Sequence, residues 1–292
     1  MRREIAALPL TVTPLGPVFA ARITGVDLVH GLTDADFAAI RRALDEHSLL
    51  LLPDQPMNDD EQIAFSGRFG EMEPTRAGNP AKGTLFARQS NVDMDTGRII
   101  DRDDWRMHYQ KANYLWHADS TFKAVTSLCS LLSAREVPPE GGATEFASTR
   151  AAWEALPPER QAELEDLVVE HDLVYSRRLT GFEFSAEDAA KILPVTHRLL
   201  RSNPVTGRKS VLIGAHAKAI QGWPEAEGRA LLDELLTLAT RPENTWRHAW
   251  RQGDLVIWDN RATLHRATPY DSSRYRRLMQ RITISSGEPA FA

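Results

Sequence analysis

His117 and Asp119 stand two residues apart in the run Leu115-Trp116-His117-Ala118-Asp119-Ser120-Thr121-Phe122. At the end of a strand, alternation would point both side chains to one face. An imidazole and a carboxylate on one face supply two ligands of a facial metal triad. His265, far downstream in another predicted strand, is the candidate third. Two histidines and one carboxylate leave three metal positions open, which suits non-haem Fe(II) and oxygen chemistry. Read alone, the pair is also what a histidine hydrogen-bonded to a nearby carboxylate looks like. A second group of chemically able side chains, Arg274, Arg276, Arg277 and Arg281, crowds the C-terminal end. A planar guanidinium holds a carboxylate through two parallel hydrogen bonds. Positions 277, 279, 281 and 283 alternate onto one strand face, so two arginines can face one cavity. Without such a cavity they form a solvated basic edge.

The elements that would carry these groups are mostly β. Residues 10–28 read as a hairpin of short β-rich runs punctuated by Pro and Gly. Thr33 or Asp34 caps a helix with Phe37, Ile40 and Leu44 on one face. Residues 48–52 are an apolar run ended by Pro53, a buried strand. Asn58 with Glu61 opens a second helix through Phe69. A strand over 113–116 leads into His117. Strands follow over 127–136 and 143–147, then helices over 150–156 and 159–168. Residues 197–201 and 210–213 pair around a turn, and Pro224 starts a helix to about Ala239. The last fifth returns to strands at 245–250, 255–258, 263–266 and 277–285. The stretches 71–110 and 176–193 are polar and aperiodic. Loops of that length in a compact domain are usually functional, and both read as lids. Many short strands with a few helices predict a barrel or double-sheet roll with helices outside. No repeat or linker divides the chain, so residues 1–292 read as one domain.

Composition narrows the function. The formal net charge is −5, from 35 basic and 40 acidic residues, which argues against a nucleic-acid binder run by phosphate neutralisation. The single cysteine, Cys129, excludes an intramolecular disulfide and a Cys-rich zinc site, and reads as an inert core residue. No apolar run approaches the roughly 20 residues of a membrane span, and Met1-Arg2-Arg3-Glu4 begins no secretory signal. These features predict a cytoplasmic protein without nucleic-acid or membrane partners.

Five ordered blocks carry a family resemblance. They are the run around His117 quoted above, Pro138-Pro139-Glu140-Gly141-Gly142-Ala143-Thr144-Glu145-Phe146, Gly253-Asp254-Leu255-Val256-Ile257-Trp258-Asp259-Asn260-Arg261, Leu264-His265-Arg266 and Arg277-Leu278-Met279-Gln280-Arg281-Ile282-Thr283. Together they resemble the taurine dioxygenase family of Fe(II)/2-oxoglutarate-dependent oxygenases. Leu173-Val174-Tyr175-Ser176-Arg177, Ile213-Gly214-Ala215-His216-Ala217 and Ala226-Glu227-Gly228-Arg229-Ala230-Leu231-Leu232 look closest to its 2,4-dichlorophenoxyacetate branch.

The resemblance implies a mainly β fold with flanking helices: a distorted double-stranded β-helix, or jelly roll, with a helical buttress and lid loops. It implies Fe(II) on His117, Asp119 and His265, with 2-oxoglutarate and O2 as cosubstrates. Thr144 and Arg277 match the residues that hold a 2-oxoglutarate carboxylate, and Trp258 a position under the metal site. Arg277 lies one residue later than the usual family spacing from His265, so a one-residue insertion falls within 269–275. Arg276 is the alternative. Arg281 matches an arginine facing the substrate's anion. Asn91, in Ser90-Asn91-Val92, matches a segment reaching over the substrate, and His216 a pocket-lining position. Trp258 and His216 are equally the types of residue that fill a core. The implied reaction hydroxylates an organic acid, with release of succinate and CO2. On an aryloxyalkanoate, a herbicide-type acid, it cleaves the ether to a phenol and an oxo-acid. The alternatives are a sulfonate or alkyl sulfate substrate, or a non-catalytic small-acid-binding protein. The partner is a small molecule, and a homo-oligomer is compatible with the chain.

Overall fold

The structure, a computed structural model, describes residues 9–75 and 84–289. Strands β1 (Thr11–Pro14) and β2 (Ala21–Thr24) form the expected hairpin. Thr33 caps α1 (Asp34–His47): its Oγ1 accepts from Asp36 N at 3.1 Å, and the Asp36 carboxylate accepts in return from the Thr33 N–H. Ser48, at φ 60°, ends that helix and turns the chain into β3 (Leu49–Leu52). Four consecutive leucines there are buried, because β3 is covered on both faces. Asn58 and Glu61 form a second capping box on α2 (Asp59–Gly67).

Further along come β4 (Ala87–Ser90), α3 (Trp105–Gln110), β5 (Val125–Glu136), β6 (Thr144–Ser148), α4 (Thr149–Glu154) and α5 (Pro158–Leu164). Then follow β7 (Val168–His171), α6 (Leu173–Arg178), α7 (Ala186–Ala190), β8 (Val195–Arg198), β9 (Leu200–Ser202), β10 (Lys209–Val211) and β11 (Ala217–Ile220). The chain closes with α8 (Glu225–Ala239), β12 (Thr245–His248), β13 (Leu255–Asp259), β14 (Thr263–Ala267) and β15 (Leu278–Pro289). Seven strands make a large sheet in the order β1-β2-β3-β13-β5-β15-β4, and a smaller one runs β12-β6-β14. Two further small sheets run β11-β7-β8 and β10-β9.

Period-2 alternation divides the large sheet between two cores. Leu50, Leu52, Leu131, Ile257 and Ile282 pack with Ile40, Leu44 and Phe65 of α1 and α2. Leu49, Leu51, Leu132, Val256, Trp258 and Met279 face the other way, against Phe146 of β6. The space between the two sheets is therefore lined by alternate residues of β5, β13 and β15. Cys129 lies in the helix-side core, where burial pushes its thiol well up.

The departures from expectation are local. His117 does not end a strand: residues 111–114 form a 3-10 turn, and His117 makes a single antiparallel bridge with His265. The segment read as aperiodic over 71–110 contains β4 and α3; of that segment, residues 76–83 lie outside the described residues. The segment 176–193 contains the end of α6 and all of α7. These short helices carry ordinary caps, with Asp104, Asp172 and Ser185 each accepting from a backbone N–H of the first turn. They are too short for an apolar face to show as a period in sequence.

His171 and His197, on adjacent strands, are fully buried with ring centroids 5.3 Å apart. Both ring nitrogens of His171 lack a hydrogen-bond partner among the described residues. Burial, reinforced by His197 and then Arg201, drives the His171 pKa well below the ordinary 6.5. The unfolded chain therefore takes up this proton first as pH falls. Stability from this site is present above about 6.5 and lost below it, at up to about 1.4 kcal/mol per pH unit. Urea midpoints followed downward through that range should fall, and His171→Leu should fall less steeply. Equal slopes would remove His171 from the account.

Candidate active site

His117, Asp119 and His265 come together although 148 positions separate the outer two: one ligand atom from each lies within 4.8 Å of the others. The His117–His265 bridge fixes the relation, with His117 N donating to His265 O at 3.1 Å and His265 N to His117 O at 2.8 Å. Close backbone packing holds the bridge. A Cβ on Gly214 (φ 114°) would stand 2.9 Å from Trp116 O and 3.1 Å from His117 Cα, so only glycine fits. His117 Nδ1 donates to Leu115 O at 2.7 Å, which leaves Nε2 as its ligand atom. Burial lowers the pKa of both imidazoles, His265 well below the ordinary value with the neighbouring His117 adding to it. Two neutral lone pairs and a carboxylate converging without a proton between them suit a divalent cation.

Asp119 is the most constrained of the three. Burial pushes its carboxyl up, but Arg281, His265, His117 and Ser130 together outweigh burial and hold it at about 2. Arg281 NH1 meets Oδ1 at 2.6 Å, and Ser130 Oγ donates to Oδ2 at 2.7 Å. Oδ2 also faces His265 Nε2 at 3.8 Å. Asn260 ties the surroundings together. Its Oδ1 accepts from Asp119 N at 3.1 Å and from Trp258 Nε1 at 2.9 Å, while its Nδ2 donates to Ser130 Oγ at 2.9 Å. Neither Asn260 nor Ser130 was singled out from sequence. Asn260 lies inside a resembling block, two residues after Trp258, and that was its only signal.

A cavity opens on one side of the cluster, lined by His117, His265, Thr144, Trp258, Arg277 and Arg281 among others. Arg277 is 7% exposed, and no carboxylate pairs with it among the described residues. Its NH1 donates to Gln89 O at 3.2 Å. Arg276 points the other way and is clamped by Glu136 at 2.6 and 2.8 Å. The inward arginine is therefore Arg277, the one picked by the block pattern rather than by rigid counting. Gly142 makes room: a Cβ there would lie 3.4 Å from Arg277 Cδ and Nε. Thr144 Oγ1 accepts from Trp250 Nε1 at 2.9 Å, which leaves its own proton free to donate. Trp258 contributes its ring, since its N–H is committed to Asn260.

Asn91 is placed otherwise than the sequence suggested. It is fully buried, and it lines neither of the two cavities at the cluster. Its Nδ2 donates to Ser272 O at 2.7 Å and Tyr275 O at 2.8 Å, and its Oδ1 accepts from Arg277 N at 2.7 Å. Both polar atoms of its side chain fasten the turn that delivers Arg277, so it positions that arginine and leaves nothing for a substrate.

The whole-chain comparisons agree with this geometry. Residues 11–283 match the family described as taurine catabolism dioxygenase TauD, TfdA family. The chain belongs to this family. It is 42% identical to an alpha-ketoglutarate-dependent 2,4-dichlorophenoxyacetate dioxygenase of Cupriavidus pinatubonensis, over 95% of this chain and 98% of that one. It is 39% identical to an (S)-phenoxypropionate/alpha-ketoglutarate-dioxygenase of Sphingobium herbicidovorans, over 96% of each. The crystal structure of AAD-2 in complex with Mn(II) and N-oxalylglycine superposes with a TM-score of 0.89 at 39% identity, covering 97% of this chain and 99% of that one.

In this TauD/TfdA chain a second cavity adjoins the first, sharing His117 and Arg281 with it, and is lined also by Asp119, His216, Phe122 and Arg177 among others. His216 Nδ1 lies 2.8 Å from Ser176 Oγ, whose single proton goes to Leu173 O at 2.8 Å. Nδ1 must therefore be the donor, and Nε2 is left as an acceptor. Burial, then Arg177, keeps this imidazole neutral by lowering its pKa well below the usual value.

Replacing Asp119 by Ala removes the only carboxylate of the cluster, so stoichiometric Mn(II) binding, read by calorimetry or elemental analysis, should be lost. His117→Ala should weaken it strongly. Unchanged Mn(II) stoichiometry and affinity in both variants would place the metal elsewhere.

Proposed function

We propose that this chain is an Fe(II)- and 2-oxoglutarate-dependent dioxygenase that hydroxylates the ether-side carbon of an aryloxyalkanoate. The products are a phenol, an oxo-acid, succinate and CO2. The observation that carries the reading is one cavity that joins the His117–Asp119–His265 cluster to Arg277, a buried guanidinium with no carboxylate of its own. Such a charge calls for an anionic ligand. The substrate class rests on the 2,4-dichlorophenoxyacetate and phenoxypropionate relatives, which match nearly the whole chain. The large sheet and the β12-β6-β14 sheet are read as the halves of a double-stranded β-helix forming one domain, residues 1–292. The segments 71–110 and 176–193 are its lids. No helix among the described residues is long and apolar enough to cross a membrane, in keeping with a cytoplasmic enzyme.

Iron bound at the cluster supplies oxidation of an unactivated C–H bond by O2, driven by decarboxylation of 2-oxoglutarate. The protein binds, orients and dries the reactants. Arg277 takes the distal 2-oxoglutarate carboxylate through its guanidinium fork, and the Thr144 hydroxyl donates to the same group. Trp258 closes the apolar floor. Where the two cavities meet, Arg281 lends part of its donor set to Asp119 and retains Nε, buried without an acceptor, for the substrate acid. His216 presents a lone pair, which repels a carboxylate and turns it toward the arginines.

Arg277→Ala should cost about 2–5 kcal/mol in 2-oxoglutarate binding, because the dianion loses a buried partner. Arg276→Ala, at the exposed Glu136 pair, should leave that affinity intact; the reverse pattern would contradict the assignment. A substrate panel with succinate readout tests the class. Aryloxyacetates and 2-aryloxypropionates should yield succinate and phenol together, and their neutral esters little of either. Turnover of taurine or alkyl sulfates with none of these acids would move the chain to the sulfonate reading. Arg281→Leu should raise the apparent KM for the acid and leave 2-oxoglutarate affinity nearly intact.

A further inference from the structure

The charges around the second cavity do not balance. Its walls include the cations Arg88, Lys123, Arg177 and Arg281 and the anions Glu73 and Asp119. Lys123 pairs with Glu73, and Arg281 with Asp119. Arg88 and Arg177 are left, each with Nε buried and lacking a partner among the described residues. Arg177 shares its cavity wall with His117, Asp119 and His216, which places it beside the cluster.

Its surroundings prepare it to bind. The Arg177 guanidinium carbon lies 4.5 Å from the centre of the Tyr109 ring. Stacking on a ring occupies the face of a guanidinium and leaves its in-plane donors free. Tyr109 is itself wedged edge-on against Phe182 at 5.3 Å and Phe184 at 6.4 Å. Those rings come from both segments read as lids, so their meeting point holds the arginine. Arg177 lies in the last turn of α6, whose Ser176 sets the His216 tautomer.

We infer that Arg177 is a specificity-determining residue that binds the anionic group of the substrate in the second cavity, opposite Arg281. The inference rests on the organic-acid reading above. Arg281 is already paired to the metal carboxylate, so Arg177 supplies the uncommitted charge. The Tyr109 stack keeps its fork turned toward the ligand.

The test is calorimetry without oxygen on Mn(II)- and 2-oxoglutarate-loaded enzyme, titrated with 2,4-dichlorophenoxyacetate and with a short alkyl sulfate. Wild type is compared with Arg177→Met, which keeps the stem, and Arg177→Lys, which keeps the charge. Arg177→Met should weaken the bound anion about tenfold or more, the loss of a charge-assisted hydrogen bond. Arg177→Lys should recover part of it. Mn(II) and 2-oxoglutarate affinities should stay within about twofold, and turnover should change in KM rather than kcat. Anion binding by Arg177→Met equal to wild type would overturn the inference. So would parallel loss of Mn(II) and 2-oxoglutarate binding, which marks a merely structural role, or wild type that binds neither anion. If wild type takes the sulfate and refuses the aryloxyacetate, the substrate class proposed above fails, while Arg177 is judged by the same criterion on the sulfate.

Discussion

A carboxylate 5% exposed between two β-sheets sets the terms for everything near it. Removing such an ion from water costs several kcal/mol unless partners close around it. Asp119 finds them on elements far apart in sequence: Ser130 on β5, His265 on β14 and Arg281 on β15. Asn260, just past β13, links Ser130, Trp258 and the Asp119 backbone. The site therefore exists only once the sheets have closed. Conversely, the buried anion specifies how β5, β13 and β15 are aligned. A divalent metal adds positive charge to an arrangement already balanced by Arg281, and the neutral imidazoles admit it without a competing proton.

The same accounting separates three arginines that look alike in sequence. Arg276 is neutralised by Glu136 at the surface. Arg281 is neutralised by Asp119. Arg277 is buried with no carboxylate at all among the described residues, which is why the proposed 2-oxoglutarate contact is assigned to it. Partners, rather than position on the strand, distinguish a structural guanidinium from a binding one.

Much of this was legible in the residues. The caps at Thr33 and Asn58 and the four-leucine strand follow from local chemistry alone, and the structure has them where the sequence places them. The alternation of 277, 279, 281 and 283 onto one face also holds, with Arg277 and Arg281 in the cavity wall and Met279 in the inner core. The His117–Asp119 spacing was read through the wrong element: a single bridge to His265, not a strand end, aims the pair. Helices α3, α6 and α7, of five or six residues, escaped because one turn and a half shows no apolar period. Asn91 was misread because an asparagine that fastens a turn and one that reaches a ligand look identical until the acceptor carbonyls are in place. Ser130 and Asn260 were passed over because the contact between them spans 130 residues, which no local pattern shows.

The central claim is that one oxygen of Asp119 serves the metal while the other stays with Arg281. Diffraction from crystals grown with Mn(II) and 2-oxoglutarate, using the anomalous signal of manganese, tests it most directly. The account predicts a single strong site about 2 Å from His117 Nε2, His265 and Asp119 Oδ2. Arg281 remains on Oδ1, and the distal carboxylate of 2-oxoglutarate lies on Arg277. A metal bound away from these three residues, or an Arg281 released from Asp119 with the 2-oxoglutarate carboxylate on it, would contradict the account.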